Sequence, residues 1–218
     1  LMRDLLSSAI HKGLSVVTSE AVESINESGS VVNVDTKGNR YLCDNVVICS
    51  PDVVSKQFDV PVSIGYAPMA VVENVPESEK SFVELDYHTK TCINLLKKED
   101  GVGLAGGITV NKEQDIKPYL KYILREHKKR NPQINVIDDY IGLKRELIQD
   151  KGKRNYLYHI NQHSSKIWSV VLGKFSLSFS MAPEFYRRVY SQNPTTVIEQ
   201  HSVTVDPHIL SKTSWRET

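Results

Sequence analysis

From Leu5 to Pro51 the hydrophobic period of the chain passes from helical to alternating to continuous, and few folds accept that succession. Leu5, Leu6, Ala9 and Ile10 recur at helical spacing, and Gly13 follows as a C-terminal stop. Ala21 to Asn26 and Val31 to Thr36 then read as strands around the turn Glu27-Ser28-Gly29. Lys37-Gly38-Asn39 makes a second turn, returning the chain through Tyr41 and Leu42. Val46-Val47-Ile48-Cys49 is a continuous apolar run ending at Ser50-Pro51, the pattern of a strand covered on both faces. A helix, an antiparallel meander and one buried strand therefore follow each other without a long loop.

The remainder alternates strands with two helices. Asp52 to Phe58 reads as a short helical turn, and Val62-Ser63-Ile64 and Met69 to Val72 as strand pieces broken at Gly65 and Pro68. Phe82 to Tyr87, Lys90 to Leu96 and Val102 to Val110 read as three strands, the last two joined by the turn Lys97 to Gly101. Ile116, Tyr119, Leu120, Ile123 and Leu124 form one helical apolar stripe, with Pro118 tolerated in the first turn and Asn131-Pro132 ending it. Asp139 to Ile148, Arg154 to Asn161 and Ile167 to Leu172 read as strands. Residues 173–180 then turn into a helix carrying Phe185, Tyr186, Val189 and Tyr190, and the polar tail from Asn193 reads as an arm.

At 218 residues the chain is long enough for one large domain or two small ones. Lys+Arg 27 against Asp+Glu 26 leaves no global field pointing to nucleic acid or an anionic membrane. No apolar run approaches the roughly 18 residues that would cross a bilayer. Cys43, Cys49 and Cys92 are odd in number and lie in strand-like segments, so they read as reduced thiols in a cytoplasmic setting. The chain opens inside what reads as a running helix, as a piece of a longer protein would.

Gly101-Val102-Gly103-Leu104-Ala105-Gly106 matches G-x-G-x-x-G by letter. A dinucleotide fingerprint needs a buried strand before the first glycine and a helix after the last. Here Lys97 to Asp100 precede it and Ile108-Thr109-Val110 continue as strand, so a glycine-rich strand after a hairpin turn is expected. A strand, a small-residue bend and a helix do follow one another from Trp168 to Pro183, an arrangement that frees backbone N–H groups for an electron-rich partner. Histidines at 159 and 163 have helical metal-ligand spacing but fall on a strand entering a turn, so no metal site is expected. Arg125, Lys128, Lys129 and Arg130 read as a solvated helix face. The serines at 176, 178 and 180 lack an assignable histidine and acid.

The order of these pieces resembles FAD-dependent oxidoreductases of the D-amino-acid-oxidase-like superfamily, which includes glycine and sarcosine oxidases. The likeness runs from about Leu1 to Tyr190 and rests on order and spacing more than on one rare motif. It implies an α+β fold: the mixed, largely antiparallel sheet of a flavoprotein substrate domain, plus part of an FAD-binding α/β domain. Residues 1–58 would belong to the FAD-binding part, 59–150 to the substrate part, 151–192 to a return into the FAD-binding part, and 193–218 to the arm.

By the same resemblance Val22 would meet adenine through its backbone, Ser50 and Pro51 would lie near the pyrophosphate, and Gly173, Lys174, Phe175 and Ser176 would lie by the isoalloxazine. Lys174 and Phe175 depart from the smaller residues usual there. Arg145 or Arg154 would clamp a substrate carboxylate, with Tyr156, Tyr158 or His159 orienting the substrate. A complete relative oxidises a small amine or hydroxy acid by hydride transfer to flavin. The glycine-rich phosphate loop of such enzymes has no counterpart in these residues. A noncatalytic mixed-sheet binding module that holds no flavin is therefore the other expectation.

Overall fold

The structure, a computed structural model, describes residues 2–147, 158–195, 205, 206 and 209. They divide into two compact units, one built from the described residues through Val62 together with those from Glu146 to 209, the other from Ser63–Arg145.

In the first unit, α1 (Met2–His11) leads into the meander β1 (Val22–Ser28), β2 (Val31–Thr36) and β3 (Arg40–Cys43). Gly13, at φ +98, takes the left-handed turn that stops the helix. The first hairpin is tighter than the sequence suggests. Glu27 and Ser28 pair with Val32 and Val31, and only Gly29, at φ +59, needs a positive dihedral. The second turn is tied by Glu20. Its carboxylate accepts hydrogen bonds from Thr36 Oγ1 at 2.9 Å, Asn39 Nδ2 at 2.6 Å and Tyr41 OH at 2.9 Å.

Next come β4 (Val46–Ile48) and α2 (Pro51–Phe58), a full two-turn helix where the sequence indicated a shorter turn. β10 (Tyr158–Gln162), β11 (Ile167–Leu172) and β4 form a second sheet in that order, with β11 antiparallel to β10 and parallel to β4. Ile25 and Val32 of the meander, Val54 of α2, and Ile48, Ile167 and Val171 of this sheet make one core. On the sheet's other face Ile160, Trp168 and Val170 pack against Met181, Phe185 and Val189 of α4 (Ser178–Tyr190).

One expectation changes here. Val47 is 43% exposed, so β4 is covered on one face only. The register explains it: Val47 pairs with Trp168 and so points to the α4 side, but α4 covers β10 and β11 and stops short of β4. On α4 the inward face is Met181, Phe185 and Val189, while Tyr186 and Tyr190 pack on each other with ring centroids 4.7 Å apart.

The second unit is a five-stranded sheet of order β6-β7-β8-β5-β9, with α3 (Ile116–Arg130) packed on one face. Its strands are β5 (Val62–Glu73), β6 (Phe82–Asp86), β7 (Thr91–Lys97), β8 (Gly103–Gly107) and β9 (Asn135–Leu147). β9 starts four residues earlier than its sequence pattern. β5 runs unbroken through Gly65 and Pro68, where two pieces were expected. Pro68 falls between the Tyr66–Val110 bridge and the Ala70–Ala105 pair, where the ladder with β8 is irregular and its missing N–H costs nothing. Ala70, Val72, Leu95, Ala105 and Ile123 form the core beneath α3.

Candidate functional site

β4 and β11 run parallel, so both release their chains at the same edge of the sheet. Val46, Val47 and Ile48 lie opposite Ile167, Trp168 and Ser169. Continued, that register sets Ser50 level with Val171, two residues or about 7 Å short of Gly173. From this edge β4 passes through Ser50 into α2, which begins at Pro51. β11 passes through Gly173, Lys174 and a 3-10 turn over Phe175–Leu177 into α4. Neither helix start carries a side-chain cap. The start of α2 and the 3-10 turn that leads into α4, neither closed by a side-chain cap, thus flank the carboxyl ends of a parallel pair, the place where open α/β sheets hold anionic or electron-rich ligands.

The structure therefore brings Ser50, Pro51, Gly173, Lys174, Phe175 and Ser176 to one sheet edge. Ser50, Lys174, Phe175 and Ser176 are exposed there, and Phe175 meets Phe179 edge to face with centroids 6.5 Å apart. His159 pairs with Val171, which puts it two strand spacings, about 10 Å, from Ser50 across the same sheet. It is half-buried, and burial holds its imidazole below the usual histidine range. Val22 belongs to the meander sheet, where it opens β1 opposite Thr36. Arg145 is exposed on β9 and counts with the second unit. Tyr156 and Arg154 lie outside the described residues.

α4 is fixed to the sheet by more than its apolar face. Trp168 and Phe185 meet edge to face at 5.9 Å, and Arg188 Nη1 donates to the Ile160 carbonyl at 3.1 Å. Glu184 accepts from both Arg187 and Arg188. The helix start beyond Gly173 is held on a firm base.

One arrangement was not foreseen from the sequence. The His163 ring stacks on Phe58 at 3.5 Å, and its Nε2 shares a 2.8 Å hydrogen bond with the fully buried Ser169 Oγ. Ser169 interrupts the apolar strand Ile167–Leu172, and a hydroxyl at such a position needs a partner. That was the available signal. No acid completes the pair in the described contacts, so it joins α2 to β11 and makes no nucleophile. No metal-binding group of His, Cys, Asp and Glu occurs among the described residues.

The G-x-G-x-x-G letters fall on the end of a turn and on β8, so no phosphate loop forms there. Gly107 is instead required by close contact. A Cβ at that position would lie 2.2 Å from Tyr119 OH and 2.4 Å from the Cys92 carbonyl oxygen.

The sequence matches no protein-family model and no curated protein. Solved structures do match the fold. NikD, an amino acid oxidase essential for nikkomycin biosynthesis, is 11% identical with a TM-score of 0.64, over 87% of this chain and 56% of that one. Glycine oxidase from Geobacillus kaustophilus is 14% identical with a TM-score of 0.63, over 87% and 53%. L-amino acid deaminase from Proteus vulgaris, with its specific insertion deleted, is 16% identical with a TM-score of 0.63, over 87% and 50%. The chain thus shares the α+β fold of these oxidase and deaminase structures and spans about half their length.

Proposed function

We propose that this chain is part of an FAD-dependent oxidoreductase that oxidises a small amine or hydroxy acid, working in the cytoplasm. The observation that carries the reading is the joint exit of β4 and β11 into two uncapped helix starts, in a chain whose fold is that of amino-acid and amine oxidases. Residues of the first unit fit the ring end of a flavin. The N–H groups before α4, with Ser176 and the Lys174 cation, suit negative charge on the pyrimidine side. Ser50 and Pro51, at the start of α2, suit the neighbouring phosphate. Bound FAD would supply the hydride acceptor. The chain's own part is to seat that ring, to keep it on the firm base of α4, and to orient substrate through a polar group such as His159.

A second reading has its own support. With the glycine motif in β8, the described residues offer no loop for the pyrophosphate, as a module that holds no flavin would also show. Titrating the purified chain with FAD separates the two. The oxidoreductase reading expects a saturable change in the flavin's visible bands, weakened by Ser176→Glu, which sets a carboxylate against the ring. An unperturbed spectrum at the highest attainable concentration favours the noncatalytic module.

A further inference from the structure

α3 buries one side and leaves the other strongly cationic. At about 100° per residue, with Lys117 as zero, Lys128, Lys121 and Arg125 fall at about 20°, 40° and 80°. All four are exposed and run about 16 Å along the helix. Ile116, Ile123 and His127 occupy the opposite arc and are buried. The neighbouring cations have protein partners. Lys129 binds Glu126 at 2.9 Å, Arg130 binds Glu84 at 2.9 Å, and Arg125 contacts Glu126 at 3.1 Å. Lys117, Lys121 and Lys128 hold no ion pair among the described residues. Glu113 and Asp115, the acids before the helix, precede its first turn. A whole-chain charge of +1 conceals this local excess.

We propose that this stripe docks the protein on an anionic membrane surface, as a peripheral contact without insertion. Lys117, Lys121 and Lys128, held in a row on a rigid helix, complement a plane of acidic lipid headgroups, and each contributes about fivefold in affinity. The shape favours a plane over a nucleic-acid groove. Tyr119, Leu120 and Leu124 on the flanks are packed against the core, so only the crest of the helix is available. The crest also lacks the exposed aromatic rings on which single-stranded bases stack.

Co-sedimentation of the full chain with vesicles tests this. Vesicles of equal parts phosphatidylcholine and phosphatidylglycerol should retain the protein, pure phosphatidylcholine vesicles should not, and added salt should release it. The triple variant Lys117→Glu, Lys121→Glu, Lys128→Glu should lose about a hundredfold in affinity. Lys12→Glu, Lys37→Glu, Lys90→Glu changes net charge equally at exposed sites elsewhere and should lose little. Far-ultraviolet circular dichroism reports whether each variant is folded, and replacing the same three stripe lysines by glutamine repeats the test with a milder change. The proposal is overturned by three results: equal loss in both triple variants, no loss in a folded stripe variant, or tighter binding to duplex DNA than to the vesicles.

Discussion

At the scale of single residues, the tightest constraint is the pairing of Gly107 with Tyr119. The Tyr119 hydroxyl accepts from the Ile108 N–H at 2.7 Å and donates to the Cys92 carbonyl at 3.0 Å, spanning the place a side chain on residue 107 would fill. Gly107→Ala forces the ring away, loses both bonds and strains the strand, and should cost about 2–4 kcal/mol. Tyr119→Phe loses the bonds alone, about 1–2 kcal/mol. Urea unfolding of both variants and the double variant checks this. The alanine should cost less once the hydroxyl is gone, and simple additivity would contradict the clash.

His163 gives a second prediction at this scale. Burial holds its imidazole below the usual histidine range, so the unfolded chain binds its proton more readily than the folded one. The His163–Ser169 link is therefore fully in place above the ordinary histidine pKa of about 6.5, and its contribution fades as pH falls toward the lower folded value. His127 and His159 are shifted the same way and add to the trend. Midpoints from urea titrations at stepped pH should fall on acidification, and His163→Phe, which retains an aromatic ring against Phe58, should shallow the slope. An unchanged slope would mean that His163 does not titrate between the two states.

At the scale of elements, whatever the sequence encodes by local period was legible: the meander, the α3 stripe, β11 and the strand character of residues 103–107. Errors arose where a neighbour decides. β5 looked broken because Gly65 and Pro68 punctuate it, yet a Cβ at Gly65 would lie 2.4 Å from Thr109 Cγ2, so that glycine serves a close approach within a continuous strand. Val46 to Cys49 looked covered on both faces because an apolar run cannot report which face lacks a partner. For the site, the turns at Ser50 and Gly173 were readable, but not their shared edge, which follows from a parallel pairing across more than a hundred residues of sequence. A pair of substitutions tests the half-covered strand. Ile48, 5% exposed, should cost about 2–5 kcal/mol as Ile48→Ala, whereas Val47→Thr should stay within about 0.5 kcal/mol. Thermal or urea melts reading a large loss for Val47→Thr would mean its face is packed after all.

At the scale of the whole molecule, the question is which parts of a dinucleotide this chain can hold. The fold comparisons reach about half of each matching structure, and the proposed function assigns the residues at the sheet edge to the ring end. Tight capture of a pyrophosphate needs several backbone N–H groups converging on it, and each charge-assisted bond is worth about 1.5–3 kcal/mol. The glycines from 101 to 106 are spent on a turn and on β8, so that contribution is missing from the described residues. Only the start of α2 is left to meet a phosphate, and a single helix N-terminus gives about 0.3–1 kcal/mol. FAD should therefore bind this chain within about tenfold of lumiflavin, which has the same ring and neither phosphate nor adenine. Fluorescence titrations with the two ligands decide the matter. Comparable affinities place the recognition at the β11–α4 bend. An FAD preference of a hundredfold or more would show that the chain forms a phosphate seat at a position other than the one argued here. If the proposed seat is right, Lys174→Glu should weaken both ligands alike, because the two share the ring that this seat would hold.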